Sequence, residues 1–571
     1  MRLKVSRSAN SETLYMIKST YENGKNSSKI VERLGTPDEI SKEHPGIDPY
    51  VWAKKYIAER TAAEKADRQK IMVAYQPGRQ LKMDEQQLFF GGYLFLQKIF
   101  YELGLGKLAG DIKAKHRFSY DLAEILSYLV CARMLEPSSK RSSLKFANSF
   151  LKPPSAKLQH VYRALGVLSK QSDQIQAALY KNSKSIIKRA DHILYYDCTN
   201  FYFEIEDEDG IKKYGHSKEN RPNPIVQMGL FMDGSGIPLA FCITPGNANE
   251  QTTLIPLEEK ILSDFEHARF VVCTDAGLSS AGNRKYNSTK DRKFITTQSV
   301  KKLKGHLRNW ATDPEGWFLV DGGKTYNIAN IDEDKHIDDV FFKDRWINEG
   351  GFEQRLIVTY SVKYRNYQRG VRDAQVKRAL KAIDTGKASV TKKNQNDPKR
   401  FISRTTVTSA GEVAEKDIYS IDTKLIASEE IYDGIYGVCT DLEDSPTLIA
   451  KVCRGRWEIE ECFRIMKHEF KARPVYLSRE DRIQAHFLVC FVALTVFRIM
   501  EKKLGDRWTC SEIIDALTSM NYLRLSGEGY APTYTRTNLT DALHDVAGFR
   551  TDTEIITNKE MKKIISDSKK A

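Results

Sequence analysis

Arg456, Glu460, Phe463 and Lys467 follow one another at intervals of four, three and four residues. In a helix this spacing places them on one face, with a cation one turn before the carboxylate and another two turns after it. A carboxylate flanked in this way can bind a metal ion while the cations bind phosphates. The same pattern is also that of a solvated face with ion pairs four residues apart. The rest of the chain decides between the two interpretations.

Two further carboxylates are predicted at the ends of strands, Asp197 after residues 192–196 and Asp275 after residues 270–274. Sites of α/β folds are built at the carboxyl ends of strands, although an aspartate there is also a common turn residue. With Glu460 they form a set of hard oxygen ligands suited to Mg²⁺. Two such ions, roughly 3.5–4 Å apart, activate a nucleophile and stabilise the leaving oxygen in an in-line phosphodiester displacement, so that no protein nucleophile is needed.

The elements around the two aspartates predict an α/β core. Strands are predicted at 192–197, 225–232, 237–244, 270–275 and 294–298, and helical segments at 250–265 and 279–290. A turn at 233–236 joins the second and third strands as a hairpin. The order strand, strand, strand, helix, strand, helix, strand is that of the ribonuclease H-like fold, which ends with one more helix. The segment around Glu460 is the candidate for that helix.

A stretch of different character, residues 301–442, separates the fifth strand from this helix. Strands are predicted at 356–360, 405–413, 419–421 and 434–439, a helix at 363–383 and a basic loop at 392–400. We interpret the stretch as a mostly β insertion domain with a surface that faces nucleic acid. Its candidate DNA-binding residues are Arg365, Arg369 and Arg372. The alternative is a solvated basic helix.

The regions on either side of the core are predicted to be small or helical. Strands at 14–21 and 29–33 flank a turn at Asn23-Gly24, and a charged helix follows from 50 to 74. Residues 85–190 are mainly helical, with an apolar helix at 122–135 that stops before Pro137. Ser138 to Ser143 open the next helix, either as a phosphate-binding N-terminus or as a capped turn. After the core, the chain is amphipathic and ends in a lysine-rich tail predicted to be disordered.

Composition favours a soluble protein with a polyanionic partner. The 571 residues exceed a single core, and Lys+Arg outnumber Asp+Glu by 89 to 75, a formal charge of +14. Nine cysteines without ligand spacing argue for a reducing compartment and against structural zinc. The N-terminus has no apolar signal region. The apolar run 487–497 is too short to span a bilayer, so a buried helix is expected, with His486 as a core histidine.

Together these motifs resemble a family, the bacterial insertion-sequence transposases of the DDE type with a Tyr-Arg-Glu-Lys signature. Four segments carry the resemblance, namely 195–200, 215–222, 274–280 and 456–467. The resemblance spans about 190–500 and implies a ribonuclease H-like catalytic core, a mostly β insertion domain and a mainly helical N-terminal DNA-binding region. It implies that Asp197, Asp275 and Glu460 are the catalytic, metal-binding carboxylates.

The resemblance also implies that Arg456 and Lys467 bind DNA phosphates near the cut. The signature tyrosine falls on Cys453, so the phenol expected there is absent. Glu458 and Glu461 are rivals for the third carboxylate, but spacing to Arg456 and Lys467 favours Glu460. Lys218 and Arg221 follow the first strand and are predicted either to contact DNA or to belong to a polar loop. His216 is open to a structural or a functional role.

The function implied by the resemblance is that of a transposase that binds terminal inverted repeats, cuts the transposon ends and joins the 3′-hydroxyl to target DNA. The expected cofactor is Mg²⁺, with Mn²⁺ as a substitute. The expected partners are double-stranded DNA and a second copy in the synaptic complex, with no membrane, in the bacterial cytoplasm. Relatives often form a hairpin at the transposon end. The alternatives are a metal-dependent nuclease without strand transfer and a catalytically inactive DNA-binding protein.

Six regions are predicted along the chain. They are a small N-terminal unit (1–75), a helical DNA-binding region (76–190), the first part of the core (191–300), the insertion domain (301–442), the closing glutamate helix with the helix after it (443–505), and a C-terminal helical region and tail (506–571).

Overall fold

The computed structural model describes all residues except 9–10, 23–24, 69–70, 72, 74–75, 320–321, 350, 391–395, 408–415 and 571. The chain divides into two compact units. One comprises Met1–Glu85 with Leu525–Gly529, and the other comprises Gln86–Arg524 with Tyr530–Ala571.

The first unit is a three-stranded antiparallel sheet with two helices. Its elements are β1 (Arg2–Ser8), β2 (Ser11–Glu22), β3 (Lys25–Gly35), α1 (Pro37–Glu43) and α2 (Pro49–Arg68). Thr36 caps α1 in a capping box with Glu39. The two predicted strands are confirmed and are longer than expected, while the turn at 23–24 lies outside the described residues. The predicted helix 50–74 ends at Arg68, and 69–70, 72 and 74 lie outside the description.

The second unit begins with a short strand and six helices, as the apolar periodicity of residues 85–190 predicts. They are β4 (Leu88–Phe90), α3 (Tyr93–Glu102), α4 (Leu105–Ala114), α5 (Leu122–Leu135), α6 (Lys140–Ala147), α7 (Leu158–Lys170) and α8 (Ser172–Ser183). Asp121 caps α5 by accepting the Glu124 N–H. The predicted bounds of α5 are confirmed, and Ser139 caps the helix that follows Pro137.

The core sheet is built around two parallel strand pairs. Its elements are β5 (Ile193–Tyr202), β6 (Ile225–Asp233), β7 (Pro238–Pro245), α9 (Leu254–Asp264), β8 (Phe270–Thr274), α10 (Ala281–Tyr286) and β9 (Arg292–Gln298). Strands β5, β6 and β7 are antiparallel, while β8 is parallel to β5 and to β9. The order β9-β8-β5-β6-β7 is consistent with a ribonuclease H-like core. Asp275 follows β8 as predicted, but Asp197 lies within β5 because that strand continues to Tyr202.

Strands from residues 301–442 extend this sheet instead of forming a separate one. The elements are α11 (Gly305–Thr312), β10 (Trp317–Leu319), β11 (Gly322–Tyr326), β12 (Phe341–Glu349), β13 (Phe352–Tyr360), α12 (Val362–Asp384), β14 (Ile402–Val407), β15 (Lys416–Ile421), α13 (Thr423–Glu430) and β16 (Ile435–Thr440). Strand β16 pairs with both β9 and β13, and the sheet reaches ten strands. Among the described strands of residues 301–442, only β14 and β15 form a separate sheet. Residues 392–395 and 408–413 of the predicted loop and strand lie outside the description.

The chain then returns to the core. Its last elements are α14 (Pro446–Arg454), α15 (Trp457–Arg464), α16 (Glu480–Lys503), α17 (Cys510–Ser519), β17 (Asn521–Leu525), β18 (Gly529–Pro532), α18 (Asn538–Ala547), β19 (Ile556–Thr557) and α19 (Asn558–Asp567). The lysine-rich tail is helical, because Met561 and Ile564 are buried on one face of α19. This corrects the prediction of disorder.

Helix α16 is the centre of the larger core. It packs against α3, α5 and α7 and against β7. Every residue from Phe487 to Phe497 is buried, as the sequence predicts. In length and composition α16 is the one described helix that meets the requirements of a membrane span, but 94% of its most apolar window is buried inside the protein. The burial explains its apolar composition, since a core helix has no solvent face.

The β6–β7 turn depends on a buried ion pair. The Asp233 carboxylate, fully buried, accepts from Arg189 Nε at 2.5 Å and from the N–H groups of Ser235 and Ile237 at 3.0 Å each. Arg189 donates in turn to the Ser183 hydroxyl at 2.8 Å. The pair therefore fastens the turn to the end of α8.

Asp233→Ala should lower the free energy of unfolding by about 3–5 kcal/mol, because Arg189 would keep a buried charge without its partner. Urea unfolding followed by circular dichroism measures the change. As a control, Asp173→Ala removes an exposed partner of Lys260 and should cost less than about 1 kcal/mol. Equal effects of the two substitutions would contradict the structural role given to Asp233.

Candidate active site

Asp197 and Asp275 lie side by side on neighbouring parallel strands. Tyr195 of β5 is paired with Cys273 of β8, and each aspartate comes two residues after its member of this pair. Side chains two residues apart point to the same face of a sheet, and neighbouring strands are about 4.8 Å apart. The sheet therefore places the two carboxylates together on the face that carries Tyr195.

The two carboxylates differ in how the protein holds them. Asp275 Oδ1 accepts the Leu278 N–H at 2.9 Å, and Asp197 Oδ1 accepts the Cys198 N–H at 2.8 Å. The pKa of Asp197 is raised to about 6, chiefly by burial and further by the charge of Asp275, while Lys218 acts to lower it. The surrounding protein therefore does not fully compensate the negative charge of Asp197, as expected of a carboxylate that binds a cation.

A break between α14 and α15 brings Arg456 to this face. The Tyr195 hydroxyl donates to the Val452 carbonyl at 2.8 Å, which fastens the end of α14 to β5. A Cβ atom at Gly455 would lie 2.2 Å from the Tyr195 hydroxyl oxygen, so only glycine fits here. Although burial acts to lower the pKa of Arg456, it is raised because anionic groups, among them Asp275 and Asp197, favour the guanidinium charge.

Glu460 is the carboxylate of α15 that is open to solvent. Its side chain is 67% exposed, and Oε1 lies 3.8 Å from Arg456 Nη2. The rivals are bound elsewhere, since Glu458 accepts from Arg498 Nη2 at 2.6 Å and Glu461 accepts from Arg464 Nε at 2.7 Å. Arg456 therefore contacts Glu460 and feels the charge of both aspartates, and it is the residue that connects the three predicted carboxylates.

The three carboxylates are close but not converged. In the described part of the chain, the one group of three possible ligands within 4.8 Å of one another is Asp541, His544 and Asp552, far along the sequence. Those two carboxylates are ion-paired with Arg536 and Arg550. The set Asp197, Asp275 and Glu460 does not meet the same distance limit.

The helix around Glu460 is shorter than its spacing suggests. Arg456 precedes α15, and Lys467 lies in a wider π-helical turn at Ile465–Glu469 that follows it. Phe463 is buried, whereas Glu460 is exposed. The four residues that the sequence places on one helical face therefore do not all lie in one α-helix, and they differ in exposure.

Two lysines lie near Asp197. Burial and the charge of Lys218 lower the pKa of Lys467 to about 8, while Asp197 acts in the opposite direction. Lys467 Nζ is 3.9 Å from Glu219 Oε1. Lys218 donates to the Cys198 carbonyl, and its Nζ is 3.9 Å from Glu250 Oε1. Both cations are thus adjacent to the predicted site.

Four predicted DNA-binding arginines have partners within the protein. Arg365 and Arg372 are 8% and 6% exposed, with Glu333 and Asp433 as their carboxylate partners. These contacts favour the alternative of a structural role, and DNA binding by Arg365 and Arg372 stays a prediction. Arg369 lies 3.6 Å from Asp433. Arg221 is half exposed, stacks on Tyr202 at 4.2 Å and lies 3.6 Å from Glu219.

Tyr436 is the neighbour of the site that the sequence did not indicate. It lies in β16, and its hydroxyl is 3.6 Å from the sulfur of Cys453, the residue at the signature tyrosine position. Its ring, 37% exposed, lines an open cavity of about 630 Å³ with Lys363, Tyr367 and Arg454. Only the pairing of β16 with β9 brings this phenol to the site, and nothing in its local sequence shows that pairing. His486, in contrast, is a buried core histidine as predicted.

Asp197→Asn tests the charge on this face in metal-free protein. The pKa of Asp197 is about 6 in the folded protein, above the value near 4 of an exposed aspartate. Protonation of Asp197 therefore stabilises the fold, fully below about pH 4, and this stabilisation is lost as the pH rises through 6. The variant should therefore raise the free energy of unfolding by on the order of 2 kcal/mol at pH 7 and change it little at pH 4. Unfolding in EDTA at the two pH values measures this. Asp264→Asn, at an exposed helix end, should show no such difference, and a loss of stability in Asp197→Asn at pH 7 would refute the assignment.

Comparison with known proteins identifies the family of this chain. The family model described as the transposase DDE domain matches residues 192–496, more than half of the chain. A search of curated proteins found no match. Among solved structures, a piggyBac transposase synaptic complex with hairpin DNA is 9% identical, with 83% of this chain and 88% of that chain covered and a TM-score of 0.37. A Mos1 transposase paired-end complex is 14% identical, with 40% and 63% covered and a TM-score of 0.13. Such TM-scores are too low for an argument from shape, but the family match stands on its own residues, and the chain belongs to the transposases with a DDE domain.

Proposed function

We propose that this transposase cuts DNA at the ends of a transposon and joins the freed 3′-hydroxyl to target DNA, with Asp197, Asp275 and Glu460 as its catalytic carboxylates. The observation that carries the proposal is the pairing of β5 with β8, which sets the two aspartates side by side. Arg456, which contacts Glu460 and is influenced by both aspartates, supports the choice of Glu460. The resemblance to insertion-sequence transposases supports the reaction class.

The donor set fits Mg²⁺, with Mn²⁺ as a substitute. All three side chains offer hard oxygen ligands, and the raised pKa of Asp197 reflects a carboxylate whose charge the protein does not fully compensate. Asp197 and Asp275 would hold the metal, with Glu460 turning in from its exposed position. When bound, the metal lowers the pKa of water and stabilises charge on the leaving oxygen.

The surrounding cations position the DNA strand. Arg456 is at the edge of the carboxylate group, where its planar guanidinium is suited to bidentate binding of a phosphate. Its Nε is buried and has no hydrogen-bond partner in the described chain. Lys467 and Lys218 provide further point charges near Asp197. A phosphate of the strand to be cut would bind among these cations, beside the carboxylates.

Duplex DNA with terminal inverted repeats is the proposed substrate, and two copies of the chain are proposed to pair the two ends. Relatives with this signature often form a hairpin at the cut end, and Cys453 takes the place of the tyrosine in this chain. Because the Tyr436 hydroxyl contacts Cys453, we propose that Tyr436 binds the phosphate that the signature tyrosine would bind. The proposed location is on DNA in the bacterial cytoplasm.

Glu460→Gln should bind transposon-end DNA as the wild type does but cut it at least about a hundredfold more slowly, because the amide is a poor metal ligand and loss of a charged contact costs roughly 3 kcal/mol. Cleavage of labelled end DNA with Mg²⁺ or Mn²⁺ measures the rate. Glu461→Gln, whose carboxylate is bound to Arg464, is the matched control and should cut normally.

Should Glu460→Gln cut normally and Glu461→Gln fail, the third carboxylate is Glu461. If the wild type binds the ends without cutting, the protein is an inactive DNA-binding relative. Cleavage without joining indicates a nuclease.

Tyr436→Phe should slow cleavage about tenfold to a hundredfold, because a hydrogen bond to a charged phosphate is lost while the ring stays in place. The rate is measured under single-turnover conditions with the same end DNA. Tyr367→Phe, which removes a hydroxyl from the same cavity, should leave the rate unchanged. A wild-type rate for Tyr436→Phe would exclude the phenol from phosphate binding.

A further inference from the structure

A cavity of about 260 Å³ lies between the helical region and the loop that follows Lys467. Four cationic side chains line it, namely Arg133, Lys140, Lys471 and Arg473. None of the described residues that line it is an aspartate or a glutamate. So many positive charges around one cavity repel each other unless an anion lies among them.

Lys140 is the central residue of this cavity. It is 4% exposed, and it forms no hydrogen bond or ion pair with the described residues. Burial and the neighbouring Arg133 lower its pKa to about 7. A buried ammonium without a partner is strongly destabilising. The two other buried lysines among the described residues have partners, since Lys343 donates to three carbonyl oxygens at 2.7–3.1 Å and Lys212 donates to Asp209 at 2.5 Å.

Other polar groups in the cavity are also without partners. The Ser138 hydroxyl and Arg133 Nε are buried and form no hydrogen bond within the described chain. Arg133 uses its two terminal nitrogens to bind the carbonyls of Phe470, Lys471 and Ser138. Its position is therefore fixed while Nε stays available. Lys140 is also the first residue of α6, so the positive end of a helix dipole adds to the field.

We propose that this cavity is a phosphate-binding site, in which Lys140, Arg133, Arg473 and the Ser138 hydroxyl bind one phosphate group. Guanidinium, ammonium, hydroxyl and a helix N-terminus are the groups that bind phosphate in proteins. The site is separate from the three carboxylates and does not depend on their chemistry.

The cavity is nevertheless connected to the candidate active site. Arg473 forms an ion pair with Glu219 Oε1, and the same oxygen lies 3.9 Å from Lys467 Nζ. Lys471 and Tyr476 are exposed at the lining. A phosphate of the DNA that enters the active site and a free phosphate ion share the same chemistry here, and binding experiments distinguish them.

Calorimetric titration of the full chain with inorganic phosphate tests the site. Lys140→Met should weaken phosphate binding about tenfold to a hundredfold, and Ser138→Ala should weaken it several-fold, because charged hydrogen bonds are lost. Lys145→Met removes an exposed charge from the same helix and should bind phosphate as the wild type does. Without phosphate, Lys140→Met should raise the thermal midpoint, because a buried unpaired charge is removed. Phosphate should raise the midpoint of the wild type but not of this variant.

The same variants with a short DNA duplex identify the source of the phosphate. If DNA occupies the site, Lys140→Met weakens DNA binding, reduces the slope of log K against log salt by about one, and phosphate competes with DNA. If DNA binding is unchanged while phosphate binding is lost, the ligand is free phosphate. The proposal is overturned if Lys140→Met and Ser138→Ala both bind phosphate like the wild type. It is also overturned if the wild type binds no phosphate and Lys140→Met leaves DNA binding unchanged. Neither result depends on cleavage, so loss of cleavage alone leaves this site standing.

Discussion

The parallel pairing of β5 with β8 is the constraint on which the candidate site depends. It places Asp197 and Asp275 together on one face of the sheet, where two partly buried carboxylates repel each other and oppose folding. The positive charges of Arg456, Lys218 and Lys467 partly compensate the negative charge of the two aspartates. The raised pKa of Asp197 shows that the compensation is incomplete. An active site that binds a cation needs this arrangement, since full compensation by the protein would leave no electrostatic attraction for a metal.

The position of α15 follows from contacts with the same sheet. The Tyr195 hydroxyl binds the last turn of α14, and Gly455 allows the chain to pass close to it. At the other edge, Arg498 of α16 binds both Glu458 and the Gly236 carbonyl of the β6–β7 turn. These two attachments determine how α15 lies across the sheet. Arg498 therefore holds the Glu458 carboxylate, whereas the Glu460 side chain stays exposed.

Sequence reasoning found the elements whose signals are local. The apolar run of α5 between Asp121 and Pro137, the β6–β7 hairpin, and Asp275 at the end of β8 each follow from a few neighbouring residues. The sequence did not show that β16 joins β9, because strand pairing over this distance leaves no local mark. For the same reason Tyr436 was not recognised as a neighbour of Cys453. The end of β5 was misjudged because Asp197 looks like a strand terminator although the ladder with β6 continues to Tyr202.

The role of a basic residue is also hard to predict from the sequence, because the sequence does not show which anionic group lies next to it. Arg365 and Arg372 resemble a DNA-binding stripe on α12, yet Glu333 and Asp433 come from other segments to neutralise them. Lys140 resembles an ordinary residue of a helix start, yet it is buried with no carboxylate against it. What separates the two cases is the presence of an internal anion. A buried cation that the chain neutralises belongs to the fold, whereas one that the chain leaves unpaired gains stability only from an external anion. By this criterion the cavity at Lys140 is a binding position for phosphate. Glu219, which contacts Lys467 and is paired with Arg473, is the carboxylate that connects this cavity with the candidate active site.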